Sequence, residues 1–267
     1  MRLKLKLKFI GPKIISANYN YALSSAVYKL LKFGSPEFAE FLHAKGYNLN
    51  GKSYKLFVFA LRFKNVRIFN DVFHIGGASV ELLIGSPFDD EFIKNFIIGT
   101  LKNQTIELVA NNTRTTFSIE QVEMEPIPKF ESRTRFLLLS PLVLSSPKVL
   151  NGKMRQYFYR YTDNKNELEE KFNRNLINKY TIVYQKEYSG NGVNFEWDYN
   201  YIAQRIQKNK KISKKITITK DLLNPISIIG MYAPFYLEGD SELIKLGYQT
   251  GFGEKNSMGF GMVEVVK

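Results

Sequence analysis

Residues 247–261, GYQTGFGEKNSMGFG, place five glycines in fifteen positions, with the paired glycines Gly251/Gly253 and Gly259/Gly261 bracketing a polar centre, Glu254, Lys255, Asn256 and Ser257. Glycine loses more conformational freedom on folding than any other residue, so this density implies special torsions or the close approach of another group. Exposed amides in such a loop would form a concavity for a phosphate oxygen, and Lys255 would add positive charge. Two familiar phosphate loops do not fit. A dinucleotide fingerprint needs a third glycine where Asn256 stands, and it joins a strand to a helix, whereas this loop precedes a final strand, GMVEVV. A P-loop needs Gly-Lys-Ser/Thr after four intervening residues, and the run has none. Metal chemistry is poorly supplied as well. The chain has two histidines, no cysteine and no HExxH spacing, so no metal or other cofactor is expected.

The charge points the same way as the loop. Thirty-eight lysines and arginines against 25 acidic residues leave a net +13, which favours a polyanionic partner. Six lysines fall in KNKKISKKITITK (208–220), and Lys4, Lys6 and Lys8 line one side of the first segment. Such runs supply the salt-sensitive part of nucleic-acid affinity. The cysteine-free composition fits a reducing compartment. No stretch reaches the ~18 apolar residues of a membrane span, and lysines interrupt the apolar positions of MRLKLKLKFI, unlike a secretory leader. A soluble, cytoplasmic protein with no membrane association is expected.

The elements that must carry the loop are visible as periodicities. MRLKLKLKFI alternates at period two and reads as a strand with one buried and one cationic face. Residues 20–33 switch to helical spacing with Leu23, Val27, Leu30 and Leu31 as the stripe. A short helix follows in SPEFAEFLHAKG, with Ser35 as cap, Pro36 in the first turn and Gly46 past the end. KLFVFALRF, VRIFNDVFHI and ASVELLIGS read as strands, PFDDEFIKNFIIG as a helix, and TIELVA and TTFSIEQVEM as strands. Setting aside insertions, the order is βαββαβ, the ferredoxin-like arrangement. PIPKF (126–130) reads as a linker. The order then begins again, with RFLLLS, the helix NELEEKFNRNLINKY, KKITITK and SIIGMYAPFYL as strands, the short helix DSELIKLG, the glycine loop and the last strand. The expected class is α+β, two tandem ferredoxin-like domains, 1–127 and 128–267, with a carboxy-terminal glycine-rich loop. Arg133 and Arg135, just past the linker, fall where a cleft between the domains would open and are expected to contact RNA there.

On these residues the chain resembles the CRISPR-associated endoribonucleases that cut precursor CRISPR RNA within its repeats, part of a wider superfamily of repeat-associated RNA-binding proteins with ferredoxin-like folds. The likeness is carried by GFGEKNSMGFGMVEV, placed before the last strand, and by AVYKLLKFGSPEFAEFLHAKGYNLNGKSYKLF. It implies RNA contacts for Gly251, Gly253, Lys255, Asn256, Ser257, Gly259 and Gly261, and a loop packed between the domains. It also implies catalytic roles for His43, Tyr28 and Lys55, with Lys45 and Lys52 as alternatives to Lys55. At ~100° per residue His43 lies on the flank of its helix, away from the stripe of Phe38, Phe41 and Leu42, and Tyr28 is similarly off its own stripe. Histidine can serve as acid or base near neutral pH. Lysine would stabilise charge on the phosphoryl oxygens. Attack by a ribose 2′-hydroxyl would give a 2′,3′-cyclic phosphate and a 5′-hydroxyl without metal. The partner implied is CRISPR repeat RNA, with an effector complex and a homodimer left open. The alternative is a non-catalytic subunit that holds guide RNA in such a complex.

Overall fold

The computed structural model describes residues 1–150, 152–218 and 225–266. Its amino-terminal half runs β1 (Arg2–Ile10), β2 (Ile14–Ser16), α1 (Asn20–Gly34), α2 (Pro36–Glu40), β3 (Tyr47–Leu49), β4 (Lys52–Tyr54), β5 (Val58–Arg62), β6 (Val66–Phe69), β7 (Val72–Ile75), β8 (Ser79–Gly85), α3 (Lys94–Lys102), β9 (Thr105–Ala110) and β10 (Thr113–Glu125). The main sheet has the order β5-β8-β1-β10-β9, every neighbouring pair antiparallel. Removing the edge strand β9 leaves the ferredoxin order, with the first strand between the third and fourth. Leu3, Leu5 and Leu7 of β1 are fully buried, and Phe57, Phe59, Phe92 and Phe96 join them beneath α1 and α3.

The second half repeats the plan with β11 (Arg133–Leu138), β12 (Ser145–Leu150), β13 (Lys153–Phe158), α4 (Lys165–Tyr184), β14 (Val193–Trp197), α5 (Tyr199–Gln207), β15 (Ser213–Ile218), β16 (Ile226–Met231), β17 (Phe235–Gly239), α6 (Ser241–Thr250) and β18 (Val263–Val265). Its main sheet is β14-β17-β11-β18, again the ferredoxin order. One strand differs from the expectation. The second strand of this sheet is β14, in VNFEW, whereas KKITI pairs with ISIIGM as the separate hairpin β15–β16. That hairpin turns Ile216 and Ile228 onto Val143 and Phe260, a small core of its own. Residues 219 and 220, the end of the lysine-rich run, lie outside the described residues. Among the described residues no helix is long and apolar enough to cross a membrane.

Lys4, Lys6 and Lys8 are not a free cationic strip. Lys4 pairs with Glu123 at 2.6 Å, and Lys6 and Lys8 share Glu120 at 3.0 and 3.3 Å. The register puts Glu123 opposite Lys4, and Glu120 stands at the bulge between the partners of Lys6 and Leu7, within reach of both Lys6 and Lys8, so the face is mixed in charge.

The two halves are tied by a buried arginine. Arg2 donates from Nη1 to Val263 O at 2.6 Å, from Nε to Tyr248 O at 3.1 Å, and its guanidinium lies 3.3 Å from the centre of the Tyr248 ring. Arg2→Met keeps the apolar stem but leaves two buried carbonyls unpaired. Each such loss costs about 1–3 kcal/mol, so urea denaturation should show the variant less stable by about 2–6 kcal/mol. A change under 1 kcal/mol would mean that water replaces the guanidinium.

Candidate functional site

His43 is positioned by a tight helix end. Ser35 Oγ accepts from Phe38 N at 3.3 Å and Pro36 occupies the first turn, as the sequence suggests. The helix then widens into one π turn, Phe41–Lys45, and stops at Gly46, whose φ of 64° lets its N–H reach Phe41 O at 2.7 Å. Leu42 is buried, which leaves His43 exposed on the other side.

Tyr28 stands one helix away on α1, half-buried, with its ring edge-on to His43 at 5.3 Å between centroids and an interplanar angle of 89°. On its other side it meets Phe57 at 5.6 Å. Burial pushes its pKa up to about 12, outweighing Ser257, which lies beside its hydroxyl and works to lower the value. Tyr28 is therefore a neutral phenol near pH 7. Lys55 Nζ donates to the His43 carbonyl at 3.2 Å, and partial burial lowers its pKa. Lys45 and Lys52 are exposed, and Lys52 is 3.9 Å from Glu254. Of the three lysines, Lys55 contacts the histidine residue itself, through the backbone.

The glycine-rich loop comes from the opposite half and lies along α1. Asn20 Nδ2 donates to Gly259 O at 3.0 Å and Ser24 Oγ to Ser257 O at 2.8 Å, so the turn Asn256–Met258 is laid down beside Tyr28. His43, Tyr28, Lys55 and Ser257 thus meet in one place, drawn from two helices, one strand approach and one loop.

The four paired glycines do not form an open amide cradle. All four are buried with φ between 72° and 82°. A Cβ on Gly251 would come 2.7 Å from Val58 Cγ2, and one on Gly259 would come 2.6 Å from the Phe59 ring. The amides of Phe252, Glu254, Gly259 and Gly261 already donate to carbonyls. The glycines let the backbone pack between the halves, against β5. Phe252 and Phe260 are fully buried, Phe252 among Phe136, Phe172 and Phe235. Lys255 is exposed and Ser257 half-buried, while the Asn256 side chain is engaged within the loop.

Arg133 and Arg135 both lie on β11, and each faces a carboxylate. Arg133 pairs with Glu196 at 2.6 Å over the Tyr236 ring, and Arg135 pairs with the buried Asp198 at 2.6 Å. Neither borders the cleft of about 670 Å³ that opens between the halves, where Phe63 and Phe73 face Tyr201, Tyr232 and Lys214.

Sequence reasoning missed Asn20, Ser24 and Lys179. Lys179 Nζ donates to Gly251 O, Gly253 O and Asn256 Oδ1 at 2.6, 3.0 and 2.8 Å. Burial pushes its pKa down to about 7, and Glu254 acts the other way. A lysine directly before Tyr180, on the apolar stripe of α4, was the available signal.

Two family models together span most of the chain. CRISPR associated protein Cas6, C-terminal, matches residues 122–265, and CRISPR-associated protein Cas6, N-terminal, matches residues 14–123. The chain belongs to the Cas6 family. The CRISPR-associated endoribonuclease Cas6 1 of Methanocaldococcus jannaschii is 31% identical to this Cas6-family chain, over 98% of the chain and 92% of the relative. A solved CRISPR associated protein Cas6 is 30% identical, with a TM-score of 0.74 over 100% of this chain and 99% of the other. A solved Cas6-related protein from Pyrococcus furiosus has a TM-score of 0.81 at 22% identity, over 100% and 98%, which is a likeness of fold.

Proposed function

We propose that this Cas6-family protein is an endoribonuclease that cuts precursor CRISPR RNA within its repeats, without metal, by attack of a ribose 2′-hydroxyl on the adjacent phosphate. One observation carries the reading. An exposed histidine, a neutral tyrosine and a lysine from the amino-terminal half meet the glycine-rich loop of the other half at one point. The division of labour follows residues 1–127, which supply the reacting groups, and 128–267, which supply the loop.

The 2′-oxygen forms a bond to phosphorus as its proton leaves, and the bond to the departing 5′-oxygen breaks as a proton arrives. His43 serves one of these transfers. The Tyr28 phenol keeps its proton at neutral pH and so donates a hydrogen bond to the phosphate or the ribose. Lys55 supplies positive charge for the phosphoryl oxygens, joined by the exposed Lys255. Asn256 and the four glycines hold the loop in place and act on RNA through it. For a phosphate to reach Arg133 or Arg135 it has to displace Glu196 or Asp198, so these two make exchange contacts at most.

Purified protein incubated with repeat RNA in EDTA should cut at an unchanged rate, with the upstream product ending in a 2′,3′-cyclic phosphate and the downstream product in a 5′-hydroxyl. Mapping both ends tests this. Cleavage abolished by EDTA and restored by magnesium would overturn the metal-free route. Tight binding with no cleavage would assign the protein to holding guide RNA.

A further inference from the structure

The glycine-rich loop is fastened to a buried lysine. Lys179 is 2% exposed and gives its protons to Gly251 O, Gly253 O and Asn256 Oδ1. Asn256 extends the fastening, because its Nδ2 donates to Phe252 O at 3.1 Å and to Phe260 O at 2.9 Å. Both limbs of the loop are thereby fastened to a single side chain on α4. From Asn256 the chain passes straight into Ser257, which meets Tyr28, and on to Met258 and Gly259, whose carbonyls receive Asn20. A charged group in this position is costly to bury. Its neighbours on the same stripe, Leu176 and Tyr180, show that packing alone would be met by an apolar side chain.

We propose that Lys179 is a positioning residue for RNA cleavage: from the carboxy-terminal half it fixes the loop so that Ser257 holds Tyr28 in place beside His43. The inference rests on reading His43 and Tyr28 as the cutting centre. Lys179 itself touches no RNA, since its ammonium is enclosed by the loop. Its loss should therefore weaken the chemical step far more than it weakens the grip on RNA.

The test compares Lys179→Met with wild type in single-turnover cleavage and in equilibrium binding of an uncleavable, 2′-deoxy repeat RNA. The fraction of folded protein is set by binding stoichiometry. A misplacement of about 1 Å can cost up to about 10²-fold, so the cleavage rate should fall by about 30-fold or more, with Kd changed less than about threefold. Lys179→Arg, which keeps donors on a long stem, should recover part of the rate. Asn20→Ala releases the same loop from the other half. If Lys179 acts by seating the loop, the two losses will not add, because once the loop is unseated the second substitution has less left to remove. Additive losses, or equal losses in rate and affinity, would show a general structural role and overturn the proposal. If Lys179→Met does not fold, Lys179→Gln carries the same comparison. His43→Ala in parallel separates the two ideas. A normal rate in His43→Ala removes the cutting centre itself, whereas a dead His43→Ala beside a normal Lys179→Met removes only the positioning role.

Discussion

Replacing His43 with alanine is expected to lower the single-turnover rate of repeat-RNA cleavage by about 10²–10⁴-fold, the range for losing a positioned acid or base. Affinity for the repeat and thermal stability should change little. His43 is exposed at a helix end with its ring edge-to-face with Tyr28, and substitutions at such positions stay within about 0.5 kcal/mol. The backbone carbonyl that receives Lys55 survives the substitution, so the lysine keeps its place. His74→Ala is the natural control. That histidine is exposed on β7, in a hairpin of the small sheet β2-β7-β6, and its loss should leave the rate unchanged. A repeat with 2′-deoxyribose at the cut site completes the test by removing the nucleophile. If wild-type protein cut that substrate, the attacking group would be something other than the 2′-hydroxyl. If His43→Ala cut normal RNA at the wild-type rate, the centre would have to be sought elsewhere.

Most of the amino-terminal half was legible because its main elements announce themselves locally. Leu3, Leu5 and Leu7 alternate with lysines, and Ser35, Pro36 and Gly46 bracket a short helix with residues suited to each end. VRIFNDVFHI, expected as one strand, is instead the hairpin β6–β7 of the separate sheet β2-β7-β6, turned at Asn70 and Asp71, whose positive φ reverses the chain. The carboxy-terminal half competes with itself. KKITITK and VNFEW both alternate at period two, so period alone does not choose between them for the second strand. Only the tertiary fold decides, because β14 gains its place by burying Phe195 and Trp197 against β17, while the lysine-rich strand satisfies its hydrogen bonds within its own hairpin. The helix α5 was missed for a related reason. It is short, and its signal was the single cap Asp198, whose carboxylate accepts from Tyr201 N at 2.9 Å. At the site, helical spacing placed His43 and Tyr28 off their buried stripes, but it could not bring them to one point. The packing of the two helices brings their rings together, and the loop joins them because Asn20 and Ser24 reach residues more than two hundred positions away. The loop glycines were read for the conformations that they allow, and the conformations were right. What approaches them is the rest of the protein: Val58, Phe59 and the loop's own carbonyls.

That reassignment makes Gly261→Ala the second large effect to expect. Gly261 has a φ of 75°, and a Cβ there would overlap the Phe252 carbonyl oxygen. The same two residues close the loop, since Phe252 N donates to Gly261 O at 2.8 Å and Gly261 N donates to Pro141 O at 2.9 Å. Left-handed torsion alone costs about 1–2 kcal/mol for a residue with a Cβ, and the overlap adds about 1–3 kcal/mol, so chemical denaturation should show a loss of about 2–5 kcal/mol. Gly11→Ala separates the two terms, because Gly11 also has a positive φ, 91°, but nothing lies within 4 Å of the position its Cβ would take. It should lose only the torsional part, about 1–2 kcal/mol, and keep its cleavage rate. In Gly261→Ala the surviving folded protein should also cut more slowly, by up to about 10²-fold, because the Phe252 carbonyl must move and it is one of the two that anchor Asn256. A variant that lost stability but cut at the normal rate would mean that Ser257 reaches Tyr28 by the contacts on α1 alone. One that lost rate together with stability would tie the packing of the loop to the chemistry on the other half of the molecule.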